Sequence, residues 1–241
     1  MSSRNAIINK SEILEKAKNW FRETIAKNHI RNTKKLADPA ELSINPFLAV
    51  YLANFLTGNS SPESIAKALL LPRVLGTSIT TSFGQNIQSF TSILQGSFGS
   101  TTSGIDIEFT DCIDGHKKYC QLKLGPNTIN KDDVETIAGH FKAVINLART
   151  NKLKIAHDDM IVGVIYGSAA DLSSHYKRIT QQYHHPVFIG QEFWRRLTGD
   201  SNFYKDLIDA IGSVAIEANY CAEFENIIRE LASTENIRNL K

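Results

Sequence analysis

Alternating apolar and polar residues around one Asp-Gly dipeptide constrain the fold of this 241-residue chain more than any other feature. From position 104 to 124 the chain reads GIDIEFTDCIDGHKKYCQLKL. Asp114-Gly115 favours a tight two-residue turn because glycine readily adopts a positive φ, and strand-forming residues flank the pair on both sides. The stretch therefore predicts an antiparallel β-hairpin.

The predicted turn fixes which residues of the hairpin face each other. With the Asp-Gly pair as the loop, Asp106 lies opposite Lys123 and Glu108 lies opposite Gln121, all four on one face. The opposite face is apolar and is predicted to join the core: Ile105, Ile107, Phe109, Cys120, Leu122 and Leu124. A polar face of this kind is also ordinary for a half-solvated hairpin, so context must decide whether it is a site.

An Asp on one strand and an x-Lys pair on its antiparallel neighbour resemble the active-site motif of the PD-(D/E)xK nucleases. In that superfamily the Asp binds a divalent metal and the Lys orients or helps to deprotonate the attacking water. The resemblance implies these roles for Asp106 and Lys123. The chain departs from the motif twice: Gly104-Ile105 stands in place of the proline before Asp106, and Gln121 stands in place of the second carboxylate.

The missing carboxylate has a candidate source downstream. Mg²⁺ is usually held by one or two carboxylates together with water and phosphate oxygens, so a neutral amide is a poor substitute for an anion. The next acids stand at the start of a predicted helix, 131–149: Asp132, Asp133 and Glu135. Some restriction enzymes carry the second acid on the helix after the strand, and the resemblance implies Glu135 for this role. The alternative is that these acids only complement the helix dipole, and the choice between Glu135 and Glu108 stays open.

The rest of the chain predicts helices around the hairpin. Periodicity and capping residues predict helices at about 11–29, 47–56, 63–71 and 83–94. The 47–56 helix is so apolar that it is expected to be buried on most sides. After helix 131–149 come a predicted buried strand at 160–167, a helix at 170–183, a strand at 187–189 and C-terminal helices.

This order predicts the α/β class: a restriction-endonuclease-like core with a mixed β-sheet flanked by helices. Because no linker or repeat interrupts the chain, one domain is expected over 1–241. Its parts would be a mainly helical 1–100, a catalytic core at 101–190 and a helical 191–241.

Composition narrows the class of protein without selecting a partner. Hydrophobic residues make up 42% and charged residues 22% of the chain, and no apolar run approaches the ~20 residues of a membrane span. The N-terminus lacks the pattern of a secretory signal, and the three cysteines have no metal-ligand spacing, so a cytoplasmic protein with reduced thiols is expected. A net charge of +2 permits DNA binding without requiring it.

Further candidate residues lie outside the motif. Glu63 and Glu108 are candidate auxiliary acids, although Glu63 follows Ser61-Pro62 and would equally stabilise its own helix N-terminus. His184-His185 is interpreted as a loop pair because no third metal ligand stands at a fixed spacing. Candidate DNA contacts are Arg73, Asn127, Thr128, Asn130, Lys131, Lys177, Arg178, Arg195 and Arg196.

Several stretches together resemble one family over about 45–204. They are NPFLAVYLANFLTGN, PRVLGTSITTSFG, GIDIEF with YCQLKLGPNTINKDDVE, and GQEFWRRLTGDSNFY. They are similar to the small type II restriction endonucleases that cut GGNCC or GGWCC sites.

This resemblance implies a homodimeric, Mg²⁺-dependent enzyme that cleaves double-stranded DNA at a short palindrome, in a restriction-modification system with a cognate DNA methyltransferase. It also implies metal ligands at Asp106, Glu135 and the backbone carbonyl of Leu122, with Lys123 and Gln121 beside the attacking water.

Two other functions remain open from the sequence. One is a DNA-binding module that has the nuclease fold but no catalysis, which the neutral Gln121 favours. The other is a structure-selective nuclease of DNA repair or recombination. Cleavage of a plain palindromic duplex distinguishes both from a restriction enzyme.

Overall fold

The computed structural model describes residues 10–240, apart from the side chains at 77, 78 and 97. Residues 1–9 and 241, which belong to the predicted helical N- and C-terminal parts, lie outside this range. The helices are α1 (Lys10–Trp20), α2 (Lys27–Lys35), α3 (Pro46–Thr57), α4 (Pro62–Val74), α5 (Thr77–Phe98), α6 (Lys131–Thr150), α7 (Ser174–Tyr183), α8 (Gln191–Thr198), α9 (Phe203–Glu217), α10 (Tyr220–Ser233) and α11 (Glu235–Arg238). The strands are β1 (Ile107–Thr110), β2 (Lys117–Lys123), β3 (Met160–Val164) and β4 (Val187–Ile189).

The described chain forms two compact units. The first, here called the sheet unit, comprises 10–17 and 88–209 and contains all four strands. The second, the helical unit, comprises 18–87 and 210–240. One domain over the whole chain stays a prediction. No helix within the described residues is long and apolar enough to cross a membrane.

The sheet has the order β1-β2-β3-β4 and is mixed, which confirms the predicted fold class. β1 and β2 are antiparallel, whereas β2 with β3 and β3 with β4 are parallel. Every residue of β3 is buried, as expected for a parallel strand covered on both faces. Gly163 in β3 admits the ring of Phe193 from α8, since a Cβ there would lie 2.4 Å from that ring.

Helix α6 follows the strand that carries the candidate lysine, and its start is encoded locally. The Asn130 side chain accepts hydrogen bonds from the backbone N–H groups of Asp132 and Asp133. The Asp133 carboxylate accepts from the Asn130 N–H, completing a capping box. The apolar side of α6 packs in a core with β3 and α7 through Val134, Ile137, Phe141 and Val144.

Several predicted helix boundaries were wrong by one turn or more. The first helix continues through a π-helical segment, Phe21–Ala26, into α2 and ends at Lys35. Helix α4 continues through Pro72 to Val74, and a ring nitrogen of His29 lies 3.0 Å from the Val74 carbonyl. Helix α5 is 22 residues long, and α7 begins at Ser174. Long-range contacts such as the His29 one cannot be read from local sequence signals.

Helix α3 has the predicted ends but not the predicted burial. The Asn45 side chain caps its start at the Leu48 N–H, and Gly58 ends it with φ +76°. Within the helical unit, only Ala49 and Ala53 of this helix are buried. The expectation that α3 is buried on most sides is therefore wrong for a single chain.

Candidate active site

The hairpin forms, but with a longer loop and a shifted register. Ile107 pairs with Cys120 and Thr110 with Lys117, so Asp106 lies beside Gln121 instead of Lys123. The predicted two-residue turn is wrong: Asp111 bonds His116, and four residues form the loop. A shift of two residues leaves every side chain on its predicted face because the strand period is two. The apolar face is buried as predicted at Ile105, Ile107, Phe109, Cys120 and Leu122.

The wide loop is explained by a buried carboxylate. Asp111 is fully buried. Its carboxylate accepts a hydrogen bond from the Ile113 N–H and forms an ion pair with Arg196 at 2.7 Å. Arg196 also accepts the Cys112 N–H at its carbonyl oxygen, and its guanidinium lies 4.1 Å from the centre of the Phe188 ring. Burial lowers the pKa of Arg196, but the carboxylates of Asp111 and Glu192 together outweigh this and raise it. Arg196 therefore has a structural partner within its own chain.

The Asp106 carboxylate is oriented by the neighbouring strand. Its Oδ2 accepts a hydrogen bond from the Leu122 N–H at 2.7 Å. In a strand, the N–H and C=O of one residue point to the same side. The Leu122 carbonyl therefore points to the Asp106 side of β2, where the paired ladder of β1 has ended at Ile107. The Lys123 carbonyl, by contrast, accepts from the Ile165 N–H on the β3 side.

Gln121 is held by two hydrogen bonds to its amide nitrogen. Its side chain is buried, and Nε2 donates to the Gly104 carbonyl and to Nδ1 of His140 at 2.7 Å. Both amide hydrogens are thereby used, so Oε1 remains as an acceptor. Gly104 has φ +77°, and a Cβ there would lie 2.7 Å from the His140 ring. Glycine at this position therefore allows His140 to reach Gln121.

Sequence reasoning did not identify His140. It is a single histidine on an otherwise ordinary amphipathic helix, and no motif spacing connects it to Gln121, nineteen residues earlier. Only the packing of α6 beside the hairpin brings the two together.

Lys123 lies on the same face as Asp106 and Gln121. Asp106 lies diagonally across the strand pair from Lys123, within reach of a long side chain. The side chain is half-buried, and within residues 10–240 its ammonium has no hydrogen bond or ion pair. The structure thus brings together one carboxylate, one amide, one backbone carbonyl and one unpaired ammonium.

Glu108, a candidate auxiliary acid, has both carboxylate oxygens engaged. Oε1 accepts from the hydroxyls of Ser100 at 2.6 Å and Thr102 at 2.9 Å, and Oε2 pairs with Lys117 at 2.5 Å. Burial raises the pKa of Glu108, but these three bonds outweigh it and hold the pKa below its usual value. The contacts tie the loop before β1 to the hairpin.

Glu135 lies on a different side of α6 from His140. Five residues at about 100° each separate the two by roughly 140° around the helix axis. Glu135 is exposed and lines a cavity of about 480 Å³ with Lys142, Arg149, His157, Tyr183 and His185. Within the described residues, no three His, Cys, Asp or Glu side chains are grouped so that they could hold a metal. Glu135 therefore lies on the side of α6 that faces this cavity, and His140, which contacts Gln121, lies on another side.

A histidine stack forms one wall of that cavity. The rings of His157 and His185 are stacked with centres 4.1 Å apart, and the ring of Phe141 meets His185 edge-on. Burial, followed by the nearby His157, lowers the pKa of His185 to about 4. His185 is thus held neutral by its burial.

The loop after β2 is fixed by a tyrosine. The Tyr176 hydroxyl donates to the Gly125 carbonyl at 3.0 Å and lies 3.1 Å from the Thr128 hydroxyl, and burial raises the pKa of Tyr176 to about 12. Two candidate DNA contacts in this loop, Thr128 and Asn130, thus have local partners.

The other predicted residues are placed as follows. Asn127, Lys131 and Lys177 are exposed in the sheet unit, where Arg178 bonds Gln182 and Arg195 pairs with Glu192. Glu63 and Arg73 are exposed on α4 of the helical unit.

Comparison with protein-family models matches residues 15–219 to the family described as type II restriction endonuclease EcoO109I. A search of curated proteins gave no match.

Proposed function

The chain belongs to the type II restriction endonuclease EcoO109I family, and on this premise we propose that it cuts double-stranded DNA at a GGNCC or GGWCC palindrome with Mg²⁺. Membership makes it a type II endonuclease, a phosphodiester hydrolase that acts on DNA. Cleavage would occur within a restriction-modification system in which a cognate methyltransferase protects the host sites. The observation that carries the proposed site is the Asp106 carboxylate, bonded to the Leu122 N–H and flanked by Gln121 and Lys123.

The oxygen donors at this edge fit Mg²⁺. They are Oδ1 of Asp106, the Leu122 carbonyl and Oε1 of Gln121, all hard ligands of the type Mg²⁺ takes. One carboxylate is within the usual one or two, and phosphate oxygens of DNA and water would complete the shell. When bound, the metal would supply stabilisation of the charge that develops on the scissile phosphate.

The protein's own side chains would position the reactants. Lys123 would donate hydrogen bonds to the attacking water or to a non-bridging phosphate oxygen, because its ammonium has no competing partner within the described residues. The Leu122 N–H would hold the Asp106 carboxylate in one orientation. Gln121 would present Oε1, with its Nε2 fixed by Gly104 and His140.

Recognition of the site would use cations and amides that lack strong partners. Lys131 and Lys177 are exposed, and Arg195 has only an exposed ion pair with Glu192 at 3.0 Å. Such a pair contributes ~0–1 kcal/mol and is readily exchanged for a phosphate or a guanine edge. Arg196 is the poorest candidate because Asp111 already binds it.

The function is tested by incubating the purified protein with long unmethylated duplex DNA, once with Mg²⁺ and once with EDTA. The ends of the resulting fragments are then sequenced. We expect discrete Mg²⁺-dependent ends at GGNCC-type sites and no cutting of methylated DNA.

Asp106→Ala and Lys123→Ala should each lower cleavage roughly 1,000-fold or more while DNA binding persists. A protein that binds the duplex but leaves it intact with both Mg²⁺ and Mn²⁺ would contradict the proposal.

The same assay decides the role of Glu135. The proposed donor set omits this residue because Glu135 is exposed and stands about 140° around the α6 axis from His140, which contacts Gln121. Glu135→Ala should therefore keep cleavage within about tenfold of the unmodified enzyme. A loss as large as that of Asp106→Ala would instead establish Glu135 as the second acid, brought in when DNA binds.

A further inference from the structure

One stripe of helix α6 forms a wall of the cavity that also contains the histidine stack. The α6 residues that line it recur at helical spacing, and the main ones are Glu135, Gly139, Lys142, Asn146 and Arg149. Each of them lies roughly 100° or more around the helix axis from His140, which contacts Gln121. The cavity therefore lies on a different side of α6 from His140, and the proposed cleavage does not use it.

Two cations on this stripe have no partner within the part of the chain that the structure describes. Lys142 and Arg149 are exposed, and among residues 10–240 neither side chain has an ion pair or a hydrogen bond. Seven residues separate them, so they stand two turns apart, about 10 Å along the axis and on the same side. Glu135 stands another two turns away, beyond Lys142. The cavity therefore has a basic end that suits an anion and a single carboxylate at its opposite end.

Gly139 keeps the middle of the stripe open. A Cβ at this position would meet no atom within 4 Å, so packing within the described chain does not require a glycine there. Glycine inside a helix also lowers the stability of that helix relative to alanine. What the glycine provides is space: the cavity measures about 480 Å³, within the range of about 300–1,000 Å³ of small-molecule pockets.

The histidine stack makes another wall of the cavity aromatic and fixes it in place. His157 is exposed, and one face of its ring stacks on the buried His185 with the two planes at 13°. Phe141 meets His185 edge-on from the core, and Tyr183 lines the same cavity. An exposed aromatic ring that is already held in one orientation gives a planar heterocycle a surface on which to stack, at little cost in ordering entropy.

We propose that this cavity binds a single nucleotide, with its phosphate between Lys142 and Arg149 and its base stacked on His157. Lys and Arg side chains donate charge-assisted hydrogen bonds to phosphate oxygens, and nucleobases stack on aromatic side chains. Asn146, between the two cations, would add an amide donor. Glu135 would accept a hydrogen bond from a sugar hydroxyl or from an amino group of the base. The inference goes beyond the proposed cleavage and does not rest on it.

Other ligands fit the cavity less well. A metal ion lacks its ligands, because among residues 10–240 no three His, Cys, Asp or Glu side chains are grouped to hold one. The backbone of a DNA duplex would contact the two cations but would use neither the aromatic wall nor the space above Gly139. Since the chain belongs to a family that acts on DNA, the nucleotide has two sources: free mononucleotides and the unpaired end of a DNA strand.

The test is isothermal titration calorimetry of the full chain without divalent metal. The probes are the deoxynucleoside 5′-monophosphates, the corresponding nucleosides and inorganic phosphate. We expect at least one monophosphate to bind with a dissociation constant below about 1 mM. Its nucleoside and inorganic phosphate should bind roughly tenfold more weakly or worse, since each makes only one of the two contacts. Absence of binding by every monophosphate at about 10 mM would overturn the proposal.

Substitutions locate the bound nucleotide. Lys142→Glu and Arg149→Glu should each weaken binding roughly tenfold or more, because an anion then stands beside the phosphate. Gly139→Leu should weaken it by filling the space. Lys205→Glu, at an exposed lysine of the sheet unit outside the cavity, is the matched control and should stay within about twofold. Circular dichroism and thermal melting confirm that each variant is folded. Binding that both charge reversals leave unchanged would refute the site.

A 5′-phosphorylated single strand and a duplex of the same sequence identify the source. Tighter binding of the single strand than of the monophosphate, weakened by Lys142→Glu, supports the site with an unpaired strand end as its ligand. Binding of the monophosphate alone supports it with a free nucleotide. Binding of the duplex alone would contradict the proposal, because Lys142 and Arg149 would then be ordinary contacts to the DNA backbone.

Nucleotide binding and cleavage are scored separately. Lys123→Ala, in the proposed active site, should leave the dissociation constant of the monophosphate within about twofold. A monophosphate that is lost with Lys123→Ala and kept with Lys142→Glu would be bound at the proposed active site, against this inference. Nucleotide binding in the cavity of a protein that never cuts DNA would leave the inference standing and refute the proposed restriction activity.

Discussion

Gln121 is a neutral side chain beside the Asp106 carboxylate, and its neighbours hold its amide in one orientation. A carboxylate could not donate to the Gly104 carbonyl and to Nδ1 of His140, whereas the amide does both. The neighbourhood of Gln121 is therefore built for an amide. Its neutral charge leaves Asp106 as the single anion of the proposed donor set.

His140 should act as a positioning residue for Gln121. His140→Ala removes one of the two acceptors that orient the amide, and we expect kcat to fall roughly 10- to 100-fold with little change in KM for DNA. His140→Asn should restore much of the activity because an amide oxygen can replace Nδ1 as the acceptor. In a double-mutant cycle, Gln121→Ala and His140→Ala should be strongly non-additive. Additive losses without rescue by Asn would mean that His140 is only structural.

His185 should make the fold sensitive to acid. Its pKa is about 4 in the folded protein against an ordinary 6.5, so the unfolded chain takes up the proton first as pH falls. The contribution of neutral His185 to the free energy of unfolding is complete above pH 6.5 and is lost as the pH falls toward 4. By linkage, the free energy of unfolding should drop by about 2 kcal/mol from this group between about pH 7.5 and about pH 5.

Urea unfolding at the two pH values measures this drop. In His185→Phe the corresponding part of the pH dependence should disappear, whatever the absolute stability of the variant. The control is His184→Asn, at the exposed neighbouring position, where the backbone has a φ of +57° that Asn tolerates. This variant should keep the full pH dependence of the free energy of unfolding. An unchanged pH dependence in His185→Phe would show that another group is responsible.

At the scale of elements, the hairpin is shaped by a partner distant in sequence. The Asp-Gly pair is present and Gly115 has φ +73°, yet the loop is four residues long because Arg196 holds Asp111 and the Cys112 N–H. Turn chemistry alone favoured a two-residue loop. The contact with α8 decided otherwise.

The Asp111–Arg196 pair should contribute substantially to stability. Arg196→Ala leaves a fully buried carboxylate without its cation, so we expect unfolding to become easier by about 2–4 kcal/mol in urea denaturation. The adjacent Arg195, which pairs with Glu192 at the surface, is the control, and Arg195→Ala should change stability by ~1 kcal/mol or less. Unchanged stability with weakened DNA binding in Arg196→Ala would place Arg196 in the DNA interface instead.

At the scale of the whole molecule, burial followed from sequence less reliably than local structure. The order of helices and strands, the start of α6 and the buried strand β3 were all evident from periodicity and capping residues. Helix α3 had the composition of a core element, and the structure exposes it. An apolar pattern shows that a face must be covered, but it does not say whether the same chain or a second one covers it.

The amino-acid sequence by itself determined which residues share a face of the hairpin, because alternation with period two survives any even shift of register. It thereby placed Asp106, Gln121 and Lys123 together, and its resemblance to a nuclease motif indicated the class of enzyme. The tertiary structure decided the register, the orientation of Asp106 by Leu122, the contact of His140 with Gln121 and the position of Glu135. These depend on distances between elements far apart in the chain, which local propensities do not encode.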